Sequence, residues 1–186
     1  MFSKKGFTLT EMLFVVVIAA GILALALPSY RKAKDRSQYQ AATGMLMDLG
    51  NAVEAITNDL AMQGVNVSVT TGDSTYDSVV SSGPSIETQY KTLKEIYLES
   101  PTSATVLKML IPFGYLGSFT NPGGYNYYVG TGPSGGCAEN TTGTVVACML
   151  KSSADSADCF KGARYYQGGR IQTIRGADCK NSDNSN

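Results

Sequence analysis

The feature that most constrains this chain is the run from Phe7 to Leu27, 21 residues in which Glu11 is the one ionisable side chain. As a helix rising 1.5 Å per residue, the run would be roughly 30 Å long, about the hydrocarbon thickness of a bilayer. A cleaved secretory signal is the competing reading. Lys4 and Lys5 supply a basic n-region, and Ala24-Leu25-Ala26 offers a cleavage site. Glu11 weighs against it, because a carboxylate in an apolar span costs about 2–3 kcal/mol near the bilayer centre and is usually kept for a purpose. A disposable signal has none.

The order Lys4-Lys5-Gly6, Phe7-Thr8-Leu9-Thr10-Glu11 and a long apolar run to Leu27-Pro28-Ser29-Tyr30 resembles the type IV pilin and pseudopilin superfamily. The short leader and the phenylalanine after it are similar to the type IVa class. The resemblance implies that a prepilin peptidase cuts after Gly6 and methylates the new amine of Phe7, so residues 1–6 are leader. It also implies that Glu11 sets axial register against the N-terminus of a neighbouring copy, and that Pro28 kinks the helix. The chemistry of Glu11 agrees, since cleavage creates a positive amine four residues before it, and residues at i and i+4 share a helix face. A buried pair of this kind serves register better than stability. Arg31, Lys32, Lys34 and Arg36 follow the span and outnumber Lys4, Lys5 and the terminal amine. The positive-inside rule therefore does not place the N-terminus in the cytoplasm, and the four cations read as an interfacial anchor.

Beyond Pro28 the pattern becomes periodic. Ala42, Met45, Leu46, Leu49, Val53, Ile56 and Leu60 recur at three- and four-residue steps, which predicts an amphipathic helix ending near Gly64. The domains expected are 7–28 as membrane and filament-core helix, 29–64 as amphipathic helix, 65–123 as loop region with a short helix, and 124–186 as disulfide-containing sheet. Residues 65–86 read as a surface loop with a hairpin, and residues 87–99 as a short helix stopped by Pro101. After residue 110, where 13 of the 20 glycines lie, YNYYV (125–129), TVVACML (144–150), CFKGARYY (159–166) and RIQTIR (170–175) read as strands. The fold class expected is α+β, a long N-terminal helix against a C-terminal antiparallel sheet. The pilin resemblance implies the same arrangement.

Four cysteines, Cys137, Cys148, Cys159 and Cys179, crowd the last fifty residues, a disulfide pattern of an oxidising compartment. No short metal-knuckle spacing favours zinc. Three pairings are open; the one adopted joins Cys137 to Cys148 and Cys159 to Cys179, the second framing a C-terminal loop like the disulfide-bounded region of many pilins.

The chain contains no histidine, which removes triads built on an imidazole base. Gly130-Thr-Gly132-Pro-Ser-Gly135 fits a dinucleotide fingerprint, but the segment that follows is too rich in Gly, Asn and Thr to open a helix. Ser29-Tyr-Arg-Lys32 lacks the companion motifs of a serine–lysine hydrolase. Asp155, Asp158 and Asp178 form no calcium loop. No enzyme, metal or cofactor is expected.

Charge separates by region. Glu54 to Ser100 holds seven acidic residues and two lysines, a balance of −5, and Cys159 to Lys180 holds five basic residues and one aspartate, a balance of +4. This complementarity suggests contact between successive subunits. Lys161, Arg164, Tyr165, Tyr166 and Arg170 also compose a candidate DNA-binding strand.

The expected function is a structural subunit of a type IV pilus, held in the inner membrane and then polymerised into an extracellular filament for adhesion, motility or DNA uptake. Its expected partners are other copies of itself, prepilin peptidase, the inner-membrane assembly platform and membrane lipid. The alternatives are a pseudopilin of a type II secretion system and a secreted soluble protein with an ordinary signal peptide.

Overall fold

The computed structural model describes residues 9–67, 92–119, 124–130, 137, 144–151 and 160–175. Two compact units divide the chain, Met1–Ser37 and Gln38–Asn186. A single helix, α1 (Leu9–Met62), runs from the first into the second. In the first unit its residues from Leu9 to Ser37 are all exposed.

Within the second unit the burial of α1 turns periodic. Tyr39, Ala42, Leu46, Leu49, Val53, Ile56 and Leu60 are buried, at alternating steps of three and four that keep one stripe toward the core. The helix ends as expected near Gly64, whose φ of 78° lies in the left-handed region that glycine enters without steric cost.

Two short helices follow. Helix α2 (Leu93–Glu99) opens on a capping box: Thr92 Oγ1 accepts from Glu95 N–H, and Thr92 N–H donates to Glu95 Oε2 at 2.8 Å. Pro101 follows its end. Helix α3 (Ser103–Leu110) is an element that the sequence reading left in the loop region. Thr102 caps it by accepting from Thr105 N–H at 3.2 Å, and Val106, Leu107, Met109 and Leu110 are buried. The helix expected over 87–99 is shorter than that, because Thr92 is extended (φ −75°, ψ 159°) and caps a helix that starts at Leu93; the expected hairpin in 65–86 falls, beyond Val67, on residues outside those described.

The sheet is a four-strand antiparallel meander, β1 (Tyr125–Val129), β2 (Val145–Lys151), β3 (Gly162–Tyr166) and β4 (Ile171–Ile174), in the order β1-β2-β3-β4. All four strands fall where composition placed them. Tyr127, Met149, Ala163 and Tyr165 belong to the core that also contains the buried stripe of α1, so the long helix packs against the sheet. The fold is α+β and consistent with a pilin-like architecture.

Hydrogen bonds tie this part of α1 to the sheet as well as apolar contact. Tyr39 Oη donates to Thr173 Oγ1 at 2.8 Å, Tyr165 Oη to Asn51 Oδ1 at 2.6 Å, and Gly168 N–H to Glu54 Oε1 at 2.9 Å. The Tyr165 ring lies so close to α1 that a Cβ at Gly50 would meet its atoms at 2.4–2.6 Å. Glycine at that position is a packing requirement, not a helix preference.

The opposite face of the sheet is also covered. Period-2 alternation sends Tyr128, Cys148 and Tyr166 there, where they form a second small core with Cys137 and Val145. A register shift between Val145 and Ala147 lets Val145 join this outer core while Val146 and Ala147 join the inner one.

Candidate functional site

The Glu11 side chain is exposed in the first turn of α1. Around and after it, Met12 to Ile18 form seven consecutive exposed apolar residues, nearly two helical turns, so no side of the helix is covered there. Large apolar side chains from Leu9 to Leu27 are 50–83% exposed. Each such side chain would gain about 1.5–3 kcal/mol on leaving water, and soluble domains rarely leave a contiguous set of this size uncovered. Helix α1 therefore contains a segment long and apolar enough to cross a membrane, none of it buried. A helix suits that medium because its backbone donors and acceptors are paired internally.

Pro28 lies inside α1, with helix on both sides. Lacking an N–H, it leaves the Ala24 carbonyl without its usual partner, a local weakness just past the apolar run. Gly6 and Phe7, the expected cleavage and methylation positions, lie outside the described residues, as do Cys159 and Cys179.

Cys137 and Cys148 are joined by a disulfide, the pairing adopted for those two. Both are fully buried, and the bridge ties residue 137 to the outer face of β2. Arg164 is opposite Cys148 across the β2–β3 ladder and is only 3% exposed. Its Nε donates to the Cys137 carbonyl at 2.9 Å.

Of the candidate DNA-binding residues, Lys161 is half-buried and Arg170 exposed. Arg164, Tyr165 and Tyr166 are buried, and Arg170 stacks over the Tyr166 ring at 4.3 Å from its centroid. Arg164 binds its own chain, where a phosphate-reading arginine must reach the surface. The same burial removes one cation from the basic region proposed to meet an acidic neighbour. On the acidic side, Glu54 accepts from Gly168 and Asp59 accepts from Tyr115 Oη.

Two phenols that meet α1 within the second unit are perturbed. Burial, then the hydrogen bond to Asp59 and its charge, push Tyr115 up to about 12. Tyr165 is raised by burial and next by the charge of Glu54. Both are held neutral as donors, a structural use of the phenol. Among the described residues, no cluster of three His, Cys, Asp or Glu side chains could hold a metal ion. A pocket beside Asp48, Asn51 and Tyr115 is open to solvent.

The roles of Arg164 and Asp59 were not legible beforehand. The alternation in Gly162-Ala-Arg-Tyr-Tyr166 puts Arg164 opposite Tyr165, but whether the outer face is wet or covered is not encoded in that period. No protein-family model, curated protein or solved structure matches the chain. The functional reading therefore rests on the N-terminal motif and on the helix-and-sheet architecture.

Proposed function

We propose that this chain is a structural subunit of a type IV pilus, cut after Gly6, methylated at Phe7, held by its apolar helix in the inner membrane, and then polymerised into an extracellular filament. The observation that carries the reading is the two-part character of α1. Its first part is apolar on every side and exposed, with one carboxylate at its head, and its second part has a single buried stripe against the sheet. The first part needs an apolar environment from outside the chain. Lipid supplies it before assembly, and the same helices of neighbouring copies supply it afterwards. Glu11 then finds the Phe7 amine of a neighbour, which neutralises both charges and sets the axial step. The sheet, stapled by Cys137–Cys148, forms the outward head. Prepilin peptidase and an inner-membrane assembly platform are the implied partners.

Mass spectrometry of the mature N-terminus tests this directly. A methylated Phe7 is the expected result, and a mature chain beginning at Leu27 overturns it in favour of an ordinary secretory signal. Electron microscopy with an antibody to the head should then show surface fibres. A short periplasmic filament would identify a secretion pseudopilin instead.

A further inference from the structure

Immediately after the apolar run, Tyr30, Arg31, Lys32, Lys34, Asp35 and Arg36 occupy less than two turns of α1, and all are exposed. Four cations against one aspartate leave a local charge of +3. No ion pair holds the four among the described residues. At about 100° per residue, Arg31, Lys32, Lys34 and Arg36 fan over roughly 200° of the helix circumference. A one-sided partner would need them on one face; a layer that surrounds the helix meets them all.

The spacing along the axis also fits. With Leu27 at the edge of the hydrocarbon, Arg31 to Arg36 stand about 6–14 Å beyond it. The headgroup layer of one leaflet is about 5–8 Å thick. Helical side chains lean toward the N-terminus, which here is toward the bilayer, so long cationic side chains reach back into that layer. Tyr30 stands between the apolar run and the cations, at the depth where aromatic side chains anchor to an interface.

We infer that Arg31, Lys32, Lys34 and Arg36 form a collar that binds anionic phospholipid headgroups in the leaflet on the C-terminal side of the span. The inference rests on the membrane-crossing reading of α1 and is independent of filament assembly. Phosphodiester oxygens accept from the guanidinium and ammonium groups, and the collar gathers anionic lipid around the chain before it leaves the membrane.

The test reconstitutes the full chain in phosphatidylcholine vesicles containing phosphatidylglycerol, with spin-labelled versions of either lipid reporting which one contacts the protein. Phosphatidylglycerol should be preferred by about three-fold or more, with the preference falling toward parity at about 0.5 M salt. The quadruple variant R31Q/K32Q/K34Q/R36Q should insert normally and show no preference, whereas R31K/R36K should keep it. Equal contact by both lipids in the wild type, or a preference that survives in the quadruple variant, overturns the collar while the membrane-spanning reading stands. Failure of the wild type to insert overturns both. Equal lipid contact together with salt-sensitive oligomers would assign the cations to an acidic face of a second copy and overturn the lipid reading.

Discussion

At the scale of single residues, the head depends on a few close fits that tolerate little change. Gly50 is the tightest, because the Tyr165 ring fills the place of a Cβ. Gly50→Ala should destabilise the fold by about 1–3 kcal/mol despite the better helix propensity of alanine, measured by thermal unfolding of the detergent-solubilised chain. Stability equal to or above wild type would show that the ring can move aside. Tyr115 and Tyr165 carry a pH signature. Both phenols lie above the ordinary 10.0 in the folded state, Tyr115 at about 12, so the unfolded chain releases these protons first. Stability should be insensitive to them below pH 10 and decline as pH rises from 10 toward 12. Tyr115→Phe should flatten part of that decline, and an unchanged alkaline slope in the variant would remove Tyr115 as its source.

At the scale of elements, each piece of secondary structure answers to a local signal, and the disulfide fastens Cys137, which lies outside any element, to β2. Removing the bridge with C137S/C148S should cost about 3 kcal/mol, since it frees a loop of eleven-residue separation. Arg164→Ala should cost about 2–4 kcal/mol even with the bridge intact, because the Cys137 carbonyl loses a buried, charge-assisted donor. Urea unfolding of both variants checks the pair. If the two losses simply add, the arginine and the disulfide act separately; a smaller combined loss shows that they hold one segment together. The four strands and α2 were legible from β-branched and aromatic runs, glycine punctuation and Pro101. Helix α3 was missed although Thr102 offered a cap and Val106, Met109 and Leu110 an apolar face, because eight residues are too few for periodicity to outweigh loop-like flanks. Its helicity comes from burial more than from propensity.

At the scale of the whole molecule, the chain joins an exposed apolar helical segment, long enough to cross a membrane, to a unit that folds around its own core. On the pilus-subunit reading proposed above, Glu11→Ala should leave cleavage after Gly6 largely intact while reducing fibre number at least about ten-fold, since roughly 1.4 kcal/mol per subunit contact already changes an equilibrium by that factor. Normal fibres from this variant, counted by electron microscopy, would show that register is set elsewhere. The apolar run, its lone carboxylate, the amphipathic repeat and the strand positions were determined by the sequence by itself, because hydrophobic length and period are properties of neighbouring residues. Only the tertiary structure decided that Arg164 is buried beneath a disulfide rather than offered to a phosphate, that Asp59 answers Tyr115, and that Gly50 makes room for Tyr165. Those outcomes depend on what a fold brings against each face from 56 positions away or more, or from across the sheet, and no local pattern carries that information.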